Sequence, residues 1–196
     1  MKKSYIVLIV IGAILLISFL WFKSMYNGMV NKEEDVKTGW SQVENVYQRR
    51  SDLIPNLVKV VKGYAKHEKE TFTAVVEARA KATSVNVSAD NLSPQAVNNF
   101  MAAQDGLSSA LSKLMVVVEK YPDLKANQNF LELQSQLEGT ENRITTERGR
   151  FIEKANIYNK YIKTFPNVIF AGMFGFEKYE YFKAEEGADK SKPIDM

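Results

Sequence analysis

The chain has 196 residues, room for one domain with an appendage. It contains no Cys, which excludes disulfides, thiol catalysis and Cys-ligated zinc, while 45% hydrophobic and 25% charged residues suit a packed core. The formal net charge of +3 shrinks once Lys2 and Lys3 are set aside, because 24 Lys and Arg then face 23 Asp and Glu, too weak a field to drive nucleic-acid binding.

Tyr5 to Phe22 (YIVLIVIGAILLISFLWF) carries no charge. At about 1.5 Å per residue it would span roughly 27 Å as a helix, close to the thickness of a hydrocarbon core. It is apolar all round rather than along one stripe. Trp21 and Phe22 end it, where aromatic rings favour the membrane–water interface. A cleaved signal peptide is the rival reading, but Trp21-Phe22-Lys23 offers no small-x-small cleavage site. Residues 1–4 are therefore a short flank and residues 5–22 a single transmembrane anchor in the lipid bilayer of the cell membrane. Lys2 and Lys3 precede it; Lys23, Lys32 and Lys37 follow among Glu33, Glu34 and Asp35. The positive charges barely discriminate the two orientations, and the expectation adopted is N-terminus inside with the rest outside.

A heptad seam follows, in phase with the end of the span. Phe22, Tyr26, Met29, Glu33, Val36, Trp40, Val43, Tyr47, Arg50, Ile54, Leu57, Val61 and Tyr64 are separated by alternating steps of four and three. One continuous helix leaving the bilayer is expected. Pro55 removes a hydrogen bond from its ladder, so the helix either kinks there or restarts with Asp52 as N-cap. The unbroken seam favours the kink, with the amide of Asn56 available to mend the ladder.

A second helical pattern runs from about His67 to Ala82, with Phe72, Val75, Val76 and Ala80 apolar. Thr83 to Ser93 reads as a polar connection. Ser93 as N-cap and Pro94 at the first position open a third helix, which Tyr121-Pro122-Asp123 ends. The last long pattern covers about Leu124 to Phe165, with Phe130, Leu137, Ile144, Phe151, Tyr158 and Phe165 recurring every seven residues. Pro166 stops it. The aromatic stretch Phe170 to Phe182 follows, and residues 185–196 read as a polar, disordered tail.

The expected fold is all-α: the N-terminal transmembrane helix, then an antiparallel up-down-up-down four-helix bundle over residues 23–184 with long first and last helices. If Tyr26 lies level with Phe165, and Tyr64 with Asn127, then Arg50 falls level with Glu141. Both are charged intruders in apolar seams. A buried Arg50–Glu141 pair is expected, extended by Asn142 into a polar layer that sets helix register more than stability. The same geometry returns Phe165 to the membrane. Phe170, Met173, Phe174 and Phe176 are then candidates either for packing at the base of the bundle or for touching headgroups.

The run W-S-Q-V-E at Trp40 to Glu44, then Q-R-R-x-D-L-I-P-N-L-V from Gln48 to Val58 and V-K-G-Y-A-x-H-E from Val61 to Glu68, resembles the LemA family. So does Y-P-x-L-K-A-x-x-N-F-x-x-L-Q-x-x-L-E-x-T-E-N-R-I from Tyr121 to Ile144. Tyr158-Asn159, Tyr161-Ile162, Phe165-Pro166 and Gly175-Phe176 continue the likeness, which covers roughly Tyr26 to Ala184. The resemblance implies a bacterial, N-terminally anchored helical bundle. It supplies no agreed enzymatic activity, cofactor or catalytic residues. The family includes relatives of magnetosome membranes, which implies a membrane-organising role.

The residues give little support to catalysis. His67-Glu68 begins like H-E-x-x-H, but position 71 is Thr. Glu44, Glu138 and Glu141 lack the Glu-x-x-His companions of carboxylate metal bundles. No phosphate-cradling glycine motif occurs, and structural salt bridges are a simpler use of Arg49 and Arg50 than phosphate binding. Trp40, Tyr47 and Tyr64 are expected in the core, and His67 in a turn between helices. The expectation is a non-enzymatic scaffold or adaptor for membrane or envelope proteins, without cofactor, metal or nucleic acid. A lipid-contacting or membrane-remodelling protein is the alternative.

Overall fold

The computed structural model describes residues 3–181; Phe182 and the expected tail lie outside the described residues. Six helices fill it: α1 (Lys3–Tyr64), α2 (Lys69–Ser84), α3 (Pro94–Val118), the single turn α4 (Pro122–Lys125), α5 (Gln128–Lys163) and α6 (Asn167–Phe174). No strand occurs among the described residues.

The apolar span and the first bundle helix are one element. α1 runs unbroken for 62 residues, through Pro55 and past Trp21, so the helix does not restart at Asp52. Its seam is buried from Met29 to Val61, with Glu33 half-buried. The seam opens at both ends, and Tyr26 and Tyr64 are exposed rather than core. At Tyr64 the reason is a polar partner, since Asn127 Nδ2 donates to its hydroxyl at 2.9 Å.

α1 packs along α5 and α2 along α3. The pairings Tyr64–Asn127 and Arg50–Glu141 require α1 and α5 to run antiparallel in the expected register. α3 rises alongside α1, because Trp40 meets Phe100 while Arg50 meets Gln104 and Ser108. α2 descends between them after the turn at Ala65–Glu68, which holds an exposed His67. The bundle is therefore up-down-up-down, with two apolar clusters along it. One surrounds Trp40, Phe100 and Phe151; the other surrounds Leu57, Leu107, Leu114 and Phe130.

Two segments differ from the sequence reading. The last long helix starts at Gln128, because the Asn127 side chain accepts from the Phe130 N–H at 3.0 Å and caps it. Leu124 is buried on the separate turn α4. The connection 85–93 is also less polar in use than in composition. Val87 and Leu92 enter the core, and the Trp40 indole N–H donates to the Val87 carbonyl at 2.7 Å. Val76 and Ala80, read as apolar-face residues of α2, are exposed.

One close approach fixes how tightly α1 and α5 meet near the span. A Cβ at Gly28 would collide with the Tyr161 hydroxyl, so glycine there lets the Tyr161 ring lie against α1.

Candidate functional site

Arg50 is 2% exposed, a residue type almost never fully buried without partners. Its Nη1 donates to Glu141 Oε1 at 2.8 Å and to the Ser108 hydroxyl at 2.9 Å. Its Nη2 donates to Gln104 Oε1 at 2.6 Å and to the Gln104 carbonyl at 3.3 Å. The guanidinium also lies over the Tyr47 ring, 5.0 Å from its centroid. Three helices thus converge on one cation. Gln104 in turn donates to the Ala82 carbonyl at 3.4 Å, which brings in α2.

The composition of this layer differs from the expected one. Asn142 is exposed on the outer side of α5 and takes no place in it. Gln104 and Ser108 of α3 complete it instead. They went unread because they sit among small and polar residues of α3, where only its facing of Arg50 distinguishes Gln104. The acid partner is also less enclosed than the cation, since the Glu141 side chain is 45% exposed. Arg50 Nε has no hydrogen-bond partner among the described residues, nor has the buried Tyr158 hydroxyl.

Directly above the layer, Pro55 leaves the carbonyl of Ser51 without its helical donor. Arg79 Nε of α2 donates to that carbonyl at 2.8 Å. Asn56, expected to mend the ladder, is exposed. A second arginine therefore ties α2 to α1 at the position where α1 lacks a bond. Beside these contacts lies an open cleft of about 270 Å³, bordered by Glu44, Gln48, Ser51, Thr83, Asn86 and Gln104. Burial pushes the Glu44 carboxyl up from the ordinary carboxylate range. Among the described residues no group of three or more His, Cys, Asp or Glu is placed to hold a metal.

The aromatic segment builds a second site at the other end of the bundle. Phe170 meets Trp21 and Phe22 with ring centroids 6.5 and 5.2 Å apart. Phe174 meets Phe22 at 5.8 Å and Tyr26 at 5.3 Å, and Phe176 meets Tyr26 at 5.7 Å. The partners on α1 advance in step with the segment, so α6 climbs beside α1 from the level of Trp21. Gly175 ends α6 with φ 75°, a conformation that favours glycine. The chain then continues upward as a strap. Asn159 grips it by both groups: its Nδ2 donates to the Tyr179 carbonyl at 2.8 Å, and its Oδ1 accepts from the Tyr179 N–H at 2.9 Å. The Tyr179 hydroxyl reaches Glu33 at 3.4 Å.

Of the four residues singled out here, Phe170, Phe174 and Phe176 pack on α1, and Met173 points away, 72% exposed. Phe165, expected to close the α5 seam, is 82% exposed. It lies beyond the end of α5 at Lys163, in the turn before α6, and so leaves the heptad phase.

Comparison with known proteins places this architecture. Residues 39–195 match the model of the LemA family. Magnetosome protein MamQ of Magnetospirillum gryphiswaldense is 28% identical over 200 residues, covering 93% of this chain and 74% of the relative. Magnetosome protein MamQ 2 of Paramagnetospirillum magneticum is similar to the same extent, 28% over 200 residues. Protein LemA of Metamycoplasma hominis is 23% identical over 160 residues, 82% of this chain and 69% of that protein. The matched region runs from Gly39, one residue before the buried Trp40, through the Arg50 layer and the aromatic segment, and the chain belongs to the LemA family.

Proposed function

We propose that this protein is a single-pass, membrane-anchored scaffold or adaptor without catalytic activity, holding other membrane or envelope proteins beside its bundle. One observation carries the reading: α1 is a single helix whose first third is apolar and exposed and whose remainder is the central helix of the bundle. Such a helix carries a rigid, multi-faced body at a set height above a bilayer. The buried polar layer supports the same reading, because its groups face each other across helices and not an enclosed substrate cavity. The naming of the MamQ relatives as magnetosome proteins fits a role in building or organising a membrane compartment.

Proximity labelling in living cells tests it. A biotin ligase fused to the full chain is compared with the same ligase on residues 1–30 alone. The scaffold reading expects a reproducible set of membrane or envelope proteins labelled by the full chain and missed by the anchor. Identical sets from both fusions would overturn it.

A further inference from the structure

The end of the molecule nearest the span exposes an apolar surface that packing does not explain. Phe165, Val168, Ile169 and Met173 are all exposed, on the turn before α6 and on the side of α6 turned away from α1. The stretch from Thr164 to Phe176 contains no charged residue. Exposed Lys160 and Lys163 stand before it, exposed Glu177 and Lys178 after it, and exposed Lys23 on the neighbouring turn of α1, so cations outnumber the one acid around it. Single exposed apolar residues are ordinary on a protein surface, but a contiguous cluster marks a contact.

Its position decides the occupant. Phe170 packs on Trp21 and Phe22, the last residues of the apolar span, and Phe174 and Phe176 climb from there to Tyr26. The tip formed by Phe165 to Ile169 therefore lies level with the place where the span ends. A bilayer holding Tyr5 to Phe22 presents its headgroup and upper acyl region at that level. Apolar side chains flanked by lysines suit it, the rings and aliphatic chains entering and the lysines reaching anionic headgroups.

We propose that the turn at Phe165 and helix α6 form a second membrane-seated element at the lipid interface beside the span, with Phe165, Val168 and Ile169 towards the acyl chains and Met173 above them at headgroup level. The inference rests on α1 crossing the bilayer. Its consequence is that the bundle meets the membrane at two points. A single helix lets a body swivel and tilt; a second contact locks the bundle's azimuth and fixes which face it offers to neighbours.

The absence of Cys makes the test direct. Met173→Cys, Ile17→Cys and Val116→Cys each introduce one thiol at an exposed position of the full chain. Each variant is labelled with an environment-sensitive fluorophore and reconstituted into vesicles of phosphatidylcholine and phosphatidylglycerol. The label at 173 should emit at shorter wavelength than that at 116, lose intensity with nitroxide-bearing lipids, and be shielded from aqueous iodide. The label at 17 should be quenched by nitroxides placed deep in the acyl chains. If 173 behaves like 116 while 17 is quenched by lipid, the anchor stands and the α6 seat is wrong. Shielding of 173 from iodide without quenching by lipid would mean that protein, such as a second copy, covers this face, and would overturn the proposal. An unquenched label at 17 would remove the anchor and the seat together. Val168→Cys, labelled on the same face, must repeat the result obtained at 173.

Discussion

Arg50 and Trp21 stand on the same helix, yet their surroundings treat them in opposite ways. Around Arg50 the chain encloses a charge and supplies acceptors from two other helices. Around Trp21 it supplies rings on one side and leaves apolar side chains uncovered on the other. Charge inside and grease outside reverse the ordinary arrangement of a soluble bundle. The first reversal serves register: a guanidinium that needs Glu141, Ser108 and Gln104 together is satisfied at one alignment of the helices. The second makes sense only where something other than water touches the surface.

The contrast predicts unequal responses to substitution. Arg50→Ala strips the buried Gln104 side chain of its donor and leaves a large void, and should destabilise the bundle by about 3–5 kcal/mol. Denaturant unfolding of the full chain in detergent, followed through buried Trp40, would measure it. Met173→Ser should stay within about 0.5 kcal/mol in the same assay because most of its side chain is exposed. Similar losses at both sites would erase the distinction between them. Glu141→Gln should cost less than Arg50→Ala, about 1–2 kcal/mol, since water already reaches that carboxylate. Replacing both partners with apolar residues, Arg50→Met with Glu141→Leu, should recover part of the Arg50→Ala loss.

A smaller effect separates the register layer from the proline above it. Arg79→Ala leaves the buried Ser51 carbonyl without a donor and should cost about 1–3 kcal/mol. Pro55→Ala restores the helical N–H, so in that background the Arg79→Ala loss should largely vanish. Equal losses in both backgrounds would show that Arg79 acts through something other than the broken ladder. Near the foot, Gly28→Ala sets a steric collision with the Tyr161 hydroxyl against the better helix propensity of Ala. A net loss of about 1 kcal/mol is expected. Tyr161→Phe removes the colliding oxygen and should reduce that loss, the ring carbon remaining close to the new Cβ.

How much of this was readable beforehand depended on which forces placed each residue. The register of α1 against α5 was legible, because two heptad seams with one charged intruder each leave few alignments that bring those intruders level. The helical architecture followed from period alone. Asn142 was misread because adjacency to Glu141 in sequence is a turn of about 100° on a helix, which carries it outward. Gln104 and Ser108 were invisible because nothing local to α3 signals a partner on another helix. Arg79 belonged to the same class: a long side chain reaching a backbone carbonyl leaves no pattern. Phe165 broke the seven-residue rule because the helix that set the rule had already ended at Lys163. The packed side of the aromatic segment was foreseeable as one of two alternatives; its exposed side emerged only once Gly175 and Pro166 had fixed where α6 begins and ends.

The weakest predicted effect lies between the two regions, at the strap. Burial, and after it the charge of Glu33, pushes the Tyr179 hydroxyl up to about 12. An unfolded tyrosine loses its proton near about 10. Between those values the folded strap holds a proton that the released strap gives up, so stability from this group is complete below about pH 10 and declines as pH rises towards 12. The Tyr179 hydroxyl sits on the strap, so the loss from this group falls first on that segment. A spin label at Lys178→Cys should therefore gain mobility across that window, while a label at Val116→Cys stays unchanged. In a Tyr179→Phe background the alkaline step should shrink, leaving the part that comes from the Tyr158 hydroxyl, which burial also pushes up, and at neutral pH the strap should remain docked through Asn159. An undiminished step without the Tyr179 hydroxyl would assign it to another group, and mobility at neutral pH would mean that the two bonds from Asn159 do not hold the strap.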